Sequence, residues 1–547
     1  MRKRHRISRK FPGCKGIELH VRAKTLMIQG TGSGAGKSLL VMALCRILSD
    51  DGINVAPFKS QNMALNSFVT REGGEIGRAQ ALQAEAARVE PSVYMNPVLL
   101  KASGEAGSQV ILLGLAHSHM SARQYYAFKE KAWEVVVQAF EHIASKHDVI
   151  IIEGAGSPAE INLSDVEIVN MAVARHTNAP VLLVGDIDRG GVFASLYGTV
   201  ALLGKDAVCI KGFVINKFRG DATLLTPGID MLREKTGIDV VGVLPFIKDL
   251  ILSEEDGLNV GRTHAVRSAG LPDSVKVSVV RLNFISNFTD FDPFYYEPDV
   301  EIDFTLSRET LLNSDLIIIP GTKNTIKDLL FLRASGLEDT IREAAHKGTH
   351  VMGMCGGYQM LGRTIRDPFH VESEVGEVEG MSLLDVETIF DMVKSTRQVR
   401  GSVKKAPPPL ASYNGELKGY EIHMGRSMGD VGLFDLQPEG KGTILTEEAV
   451  TRCTTGARGT TDITNSTNEH FIDGSSKGRV WGTYVHGIFD DDSFRRALLN
   501  GLREVRGLSA LPVSVDYHRK RDAAIDAVAA IVREHLDMET VYRLLGV

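Results

Sequence analysis

Short runs of consecutive apolar residues, each closed by a polar or glycine-rich loop, recur along this chain and alternate with stretches of helical spacing. Residues 25–29 read as a strand; a glycine-rich turn follows, and then a helix from residue 37 to about 48. A long helical pattern over 122–146 leads into a strand at 148–152, and 179–185 and 212–216 are two further short strands. Runs such as 149–152 and 316–319 are apolar at every position, the mark of strands covered on both faces. Alternating with helices, they predict a mostly parallel sheet whose ligands gather at the carboxyl ends of the strands.

The pattern restarts after a polar, glycine-containing stretch at 256–273. Strands at 275–282, 315–319 and 350–354 follow, the second ending in Pro320-Gly321-Thr322 and the third at Cys355. The expected fold class is therefore α/β, two doubly wound domains, one over 25–260 and one over 274–495. Two stretches look like surface insertions: 404–414, with Pro407-Pro408-Pro409, and 451–477, rich in Thr, Ser, Gly and Asn. A helical tail over 513–547 is expected to pack back on the second domain. Residues 1–24 carry nine Lys/Arg and one acid, Glu18, with no apolar run behind them. That makes them a basic extension expected to be disordered, not a secretory signal.

Composition narrows the classes. The chain has 547 residues, 43% of them hydrophobic, and 62 Lys+Arg against 68 Asp+Glu give a net charge of −6. Apolar content is too high and net charge too small for a disordered protein. No bulk positive charge exists for a nucleic-acid partner. The strand-like apolar runs are far short of the ~18–20 residues of a membrane span. Five scattered cysteines without a CxxC fit a reducing cytoplasm and exclude a disulfide framework or zinc ribbon. Oligomeric state is not written in any of this.

Two loops carry chemistry. Gly30-Thr31-Gly32-Ser33-Gly34-Ala35-Gly36-Lys37-Ser38 follows a strand and opens a helix, the setting of a phosphate-binding loop. Backbone N–H groups and the helix N-terminus would cradle ATP phosphates, Lys37 would reach the β/γ-phosphates, and Ser38 would bind Mg²⁺. The spacing between Gly30 and Gly36 is one residue longer than usual, with Thr31 where the first glycine normally stands; this form resembles dethiobiotin synthetase and its relatives. Glu153, at the end of a buried strand and followed by Gly154-Ala155-Gly156, is placed as a second Mg²⁺ ligand. Asn216, also at a strand end, could contact the nucleotide base.

In the second half, Gly353-Met354-Cys355-Gly356-Gly357 lies at a strand–turn–helix junction. This is the cysteine form of a nucleophile elbow, in which glycines permit the strained turn and the helix N-terminus favours the thiolate. Gly356 and Gly321 could supply oxyanion N–H groups. A thiolate needs a proton-handling partner, and His486, at a strand end before Gly487, is the candidate. Glu421-Ile422-His423 is a second, weaker candidate.

The second half resembles triad-type class I glutamine amidotransferase domains, with Cys355 and His486 matching nucleophile and base. Taken whole, the chain resembles the cobyric acid synthase family of glutamine-dependent corrinoid amidotransferases. The resemblance rests on Pro57-Phe58-Lys59-Ser60-Gln61-Asn62-Met63-Ala64-Leu65-Asn66, Gly77-Arg78-Ala79-Gln80, Met95-Asn96-Pro97-Val98-Leu99-Leu100-Lys101, Glu153 to Leu163, Asp186-Ile187-Asp188-Arg189, Asn216-Lys217-Phe218-Arg219 and Tyr420-Glu421-Ile422-His423. It implies four amidations of a corrinoid, adenosylcobyrinic acid a,c-diamide, at the expense of glutamine and ATP. It also makes Lys59, Asn62, Asp165 and Glu167 candidates for orienting substrate, nucleotide or metal. Two departures stand out: Ile488 occupies the place where such amidotransferases carry a Glu two residues after the histidine, and Glu167 stands where the family tends to have Asp. Cobyrinic acid a,c-diamide synthase, with the same chemistry on other carboxylates, is the nearest rival. A P-loop regulatory ATPase with an inert amidotransferase-like domain is a rival of another class, against which the intact Cys355 and His486 argue.

Overall fold

The computed structural model describes residues 23–102, 107–247, 273–439 and 470–547. The basic extension up to residue 22, most of the stretch at 256–273 and residues 451–469 of the second insertion lie outside the described residues.

The first domain is built on a six-stranded, wholly parallel sheet. Its order is Val240–Pro245, Ile210–Phe218, Val181–Asp186, Lys24–Gly30, Val149–Glu153, Val55–Phe58. Lys24–Gly30, the strand that feeds the glycine-rich turn, thus sits between Val149–Glu153 and Val181–Asp186. Residues 26–28, 149–152 and 181–184 are buried on both faces, as their unbroken apolar runs require. A feature the sequence pattern did not announce lies between Phe58 and Ala122. There the chain makes a four-stranded sheet from Gln61–Met63, Val98–Ala102, Ser108–Leu112 and Leu115–Met120, and a hairpin from Ser67–Val69 and Glu75–Gly77. These strands are three to six residues long and carry polar side chains inward, so they lack the alternation that reveals a half-buried strand.

The second domain has a sheet of order Val300–Thr305, Val275–Val280, Leu316–Ile319, His350–Met354, Val480–Thr483, Ser475–Lys477, parallel except at its last strand. A largely antiparallel sheet lies beside it. In that sheet Val386–Val403 and Glu416–Gly429 form a long hairpin, and Val485–His486 pairs with Glu416–Gly429.

Several expectations need correction. The tail packs mainly on the first domain: helix Tyr517–His535 touches the second at its start, where Tyr517 packs on Tyr296 and its N–H donates to Asp492, but the rest of it and helix Met538–Leu545 lie on the first. Ile525, Val528, Val532 and Leu536 join one core with Leu40, Leu44 and Leu48 of helix Lys37–Asp50. That helix buries residues on every side, so one face needed a cover that the rest of the first domain does not supply. Residues 404–414 are mostly exposed, but the turn that the prolines build anchors the stretch to the second core. Pro408–Leu410 is a single helical turn, Leu410 is fully buried, and Pro409 lies against Gly501 of helix Asp492–Val505. At the end of the second supposed insertion, Phe471–Asp473 and Ser475–Lys477 are sheet strands, with Asp473 buried. The sequence reading also passed over Val192–Leu203, an uncharged helix connecting two strands of the first sheet. Taken with the turn that follows, Val192–Cys209 is long and apolar enough to cross a membrane by length and composition alone.

Candidate active sites

The phosphate loop leaves strand Lys24–Gly30 and enters helix Lys37–Asp50 through Gly36, whose φ of 96° suits glycine. A Cβ at Gly36 would lie 2.0 Å from Nδ2 of Asn216, so glycine is needed for close approach as well as for the turn. Asn216 is buried and donates to the carbonyl of Ala35 at 2.9 Å. Its side chain therefore braces the loop from beneath and does not present itself to a base. Lys217 adds a second brace, its Nζ reaching the carbonyl of Gly34 at 2.8 Å. The N–H of Thr31 is tied to the carbonyl of Val184 at 2.9 Å.

Lys37 folds back over the loop. Its Nζ donates to the carbonyl of Gly32 at 2.8 Å and to that of Gly156 at 3.2 Å, linking the glycine turn to the loop after Glu153. Glu153 is the centre of the site. One carboxylate oxygen accepts from Ser38 Oγ at 2.7 Å and Lys59 Nζ at 2.9 Å, the other from Gln83 at 2.6 Å and Gln80 at 3.3 Å. Burial alone would raise its pKa, but the Lys59 ammonium and the hydrogen bonds from Gln83 and Ser38 hold it below the ordinary carboxylate value. Asn62 donates to Gln80 at 2.8 Å and so belongs to the same network. The sequence reading missed Gln80 and Gln83. Both stand on helix Arg78–Ala86, three residues apart and hence on one face.

Glu167 is a correction. Its carboxylate accepts from the N–H groups of Val169 and Asn170 and, at 2.8 Å, from that of Ala172. It caps helix Met171–Thr177, a role that uses its oxygens on backbone amides and explains why an acid stands there. Asp165 falls in the turn Ile161–Val166, and its side chain lies outside what the structure describes.

Cys355 sits between strand His350–Met354 and helix Gly356–Leu361 at φ 49°, a strained conformation for a side chain-bearing residue. A Cβ on Gly357 would lie 2.0 Å from the carbonyl oxygen of Ile319, so the helix can start this close to the neighbouring strand only with glycine. Cys355 is 9% exposed, whereas Cys45 in the first domain is fully buried and its thiol pKa is pushed far up by that burial. The loop Pro320-Gly321-Thr322 closes over the elbow: a Cβ on Gly321 would lie 3.1 Å from Cε1 of His486, and one on Gly356 would lie 2.6 Å from Cγ2 of Thr322. Both glycines expected to carry oxyanion N–H groups therefore border the Cys355–His486 pair.

His486 is buried. Its Nδ1 lies 2.6 Å from Oδ2 of Asp290, whose other oxygen accepts from the N–H of Gly487 at 2.9 Å. Burial pushes the imidazole pKa down, but the Asp290 carboxylate and then Cys355 override it and raise it to about 10. The acid that Ile488 cannot provide thus comes from Asp290. It lies on the helical turn Phe288–Tyr296, 196 residues before the histidine, with no local spacing to betray it. His423, the weaker candidate, is stacked on Tyr484 at 3.8 Å and bound to the carbonyl of Gly425 at 2.7 Å. The carbonyl of its neighbour Ile422 is 3.7 Å from the Cys355 sulfur.

Comparison with known proteins agrees with this two-centred layout. Residues 26–260 match the family described as the CobQ/CobB/MinD/ParA nucleotide binding domain, and residues 276–494 the CobB/CobQ-like glutamine amidotransferase domain. The chain is 46% identical over 524 residues to a cobyric acid synthase of Thermodesulfovibrio yellowstonii, covering 96% of this chain and 100% of the relative. It is 47% identical over 528 residues to a cobyric acid synthase of Dehalococcoides mccartyi, covering 96% and 99%. Among solved structures, PurLQS from Thermotoga maritima aligns over 42% of this chain and 99% of its own at 16% identity, with a TM-score of 0.28.

Proposed function

The chain belongs to the cobyric acid synthase family, and on that premise we propose that it is an ATP-dependent ligase that uses glutamine to amidate the b, d, e and g carboxylates of adenosylcobyrinic acid a,c-diamide. The observation that carries the reading is the presence in one chain of a Cys355–His486–Asp290 constellation and a Lys37–Ser38–Glu153 phosphate site.

A carboxylate is a poor acyl acceptor at neutral pH and has to be activated. The glycine loop and Lys37 hold the triphosphate, and the γ-phosphoryl group passes to a corrinoid carboxylate oxygen, giving an acyl phosphate and ADP. The reacting oxygen belongs to the substrate, so no protein nucleophile is needed in this domain. Ser38 and Glu153 supply a hydroxyl and a carboxylate oxygen 2.7 Å apart beside the phosphate loop. That donor set suits Mg²⁺, which takes one or two protein oxygens and completes its shell with phosphate and water. Bound there, Mg²⁺ would neutralise charge developing on the transferring phosphoryl group. Lys59, already on Glu153, is placed to exchange that carboxylate for a phosphate oxygen.

In the second domain Cys355 attacks the side-chain amide of glutamine. A cationic imidazole beside the sulfur and a helix N-terminus beneath it are two ordinary sources of a nucleophilic cysteine. The N–H groups of Gly356 and Gly321 take the oxyanion. His486, kept protonated by Asp290, gives its proton to the departing nitrogen, and a γ-glutamyl thioester remains for water to hydrolyse. The ammonia attacks the acyl carbon of the acyl phosphate in the first domain, forming the amide and releasing inorganic phosphate as the nitrogen gives up a proton.

Substitution separates the halves. Cys355→Ala removes glutamine-driven amidation and leaves the reaction driven by a high concentration of ammonium salt; Lys37→Ala removes both. Glutamine-driven turnover surviving in Cys355→Ala, or ATP-dependent amidation surviving in Lys37→Ala, contradicts the corresponding assignment. Counting new amides in the product by mass distinguishes this substrate range from that of an a,c-diamide synthase.

A further inference from the structure

The acid behind His486 is carried by a segment that the other domain holds. Asp290 belongs to the turn that starts after Asn287, and Asn287 stands in the left-handed region at φ 53°. The carbonyl of Asn287 accepts from the N–H of Asp290 at 3.0 Å. Its side-chain oxygen is directed across the domain boundary and accepts from the N–H of Ser67 at 2.9 Å. The return bond is equivalent: the side-chain oxygen of Asn66 accepts from the N–H of Phe288 at 3.2 Å. Asn66, Ser67, Asn287 and Phe288 are all buried, so water does not replace these partners.

A second tie leads to the same two residues. Tyr420 is the cross-strand partner of His486 and stacks on its ring at 5.5 Å. Its hydroxyl donates to the carbonyl of Ser67 at 3.2 Å. The imidazole is therefore flanked by Asp290 and Tyr420, and both are tied to Asn66-Ser67 of the first domain. That dipeptide is in turn tied to the phosphate site. It ends the segment that begins with Lys59 and Asn62, and the carbonyl of Asn66 accepts from the N–H of Arg78 at 3.1 Å. Arg78 is the first residue of the helix that places Gln80 and Gln83 on Glu153.

We propose that Asn66 and Asn287 are positioning residues for glutamine hydrolysis: a reciprocal amide clamp through which the phosphate site sets the geometry of the Asp290–His486 pair. The inference rests on Cys355 and His486 being the glutamine-hydrolysing centre. Glutamine is then hydrolysed at full rate only when the first domain holds Asn66-Ser67 in place, which limits ammonia release without an activated acceptor. Each bond is local, but a displacement of Asp290 by about 1 Å is enough to cost up to about a hundredfold in rate.

Asn287→Gly tests this cleanly, because glycine accepts the left-handed backbone and only the carboxamide is lost. Three rates are compared in the full chain: amidation driven by glutamine, amidation driven by ammonium, and glutamine hydrolysis with and without ATP and corrinoid acid. We expect Asn287→Gly and Asn66→Ala each to lower glutamine-driven kcat about tenfold or more with an unchanged ammonium-driven rate, and to abolish the stimulation of hydrolysis by ATP and corrinoid acid. Asn287→Asp, which keeps an oxygen before the Ser67 N–H, should restore most of the loss. A wild-type ratio of the two amidation rates in Asn287→Gly overturns the clamp, as does an equal fall of both rates in both variants. Cys355→Ala in the same series keeps the premise separate: if it retains glutamine hydrolysis, the amidase assignment fails and not merely the clamp.

Discussion

Asp290 shows what a single residue does in this molecule and why it was hidden. Within the proposed glutamine site, the residues proposed as nucleophile and base each have a local signature in the sequence, a strained turn and a strand-end histidine. Their orienting acid has none: it reaches His486 from a separate turn, and only the folded chain joins them. The same holds at the phosphate site, where Lys37, Ser38 and Glu153 were legible but Gln80 and Gln83 were not. Asn216 was found by position and misjudged in purpose, because its amide turns inward to Ala35. The Asp290–His486 pair also makes a pH prediction. The imidazole pKa of about 10 lies above its ordinary value of 6.5, so the stabilisation from the charged pair is complete below about 6.5 and fades as pH rises through about 10. In Asp290→Asn burial acts without the carboxylate and the imidazole pKa falls. The alkaline limb of glutamine-driven kcat/KM should then move to lower pH, while the ammonium-driven profile keeps its shape. Coincident profiles for wild type and Asp290→Asn would remove Asp290 from the mechanism.

At the scale of elements, the parallel strands were legible because burial on both faces leaves no choice but an apolar run. What the sequence did not show was which surface each amphipathic piece would cover. The tail illustrates this: its helical spacing is plain, but its partner is helix Lys37–Asp50 in the first domain, almost the full length of the chain away. Periodicity reports that a face must be buried, not against what. Leu410 makes the same point, since three prolines suggest a loop and yet the turn they build is fixed in the second core. Because the tail shores up the helix that begins at Lys37, its core residues should matter to the phosphate site. Ile525→Ala is expected to cost about 2–5 kcal/mol and to lower the melting temperature of the first domain's transition in calorimetry. ATP bound by the full chain should recover part of that loss, since it binds only the folded form. An unchanged first-domain transition would mean that the tail contact is not formed in solution.

The whole molecule is organised around its internal boundary. Both reaction centres have their outer supports there, and so does a buried charge cluster in which Glu75 of the first domain meets Lys101 of its own domain and Lys394 of the second. Burial would raise the Glu75 pKa, but the two ammonium groups bring it down to about 2; burial in turn lowers Lys101 to about 8. Glu75→Gln leaves two lysines facing each other without their anion, and breaking such a buried pair is expected to cost about 3–5 kcal/mol. The loss should appear as a separation of the two domains' melting transitions and a fall in glutamine-driven amidation larger than that of the ammonium-driven reaction. A variant that melts and turns over like the wild type would show that the cluster does not hold the domains together. The two-domain plan itself was readable, since each domain announces its chemistry at the end of a buried strand; the joint between them was not, because its residues come from short strands and loops of the first half and from a long hairpin and a turn of the second, with no shared spacing.

The central claim is that nitrogen freed at Cys355 is delivered within the same molecule to an acid activated at the phosphate loop. It is tested most directly by supplying the purified chain with ATP, the corrinoid acid and glutamine labelled with heavy nitrogen in its side-chain amide, in a large excess of unlabelled ammonium at low pH, where free ammonia is scarce. The account predicts corrinoid amides that carry the heavy label, read by mass. Amides carrying nitrogen at the isotopic composition of the surrounding ammonium, or no amidation at all, would contradict it.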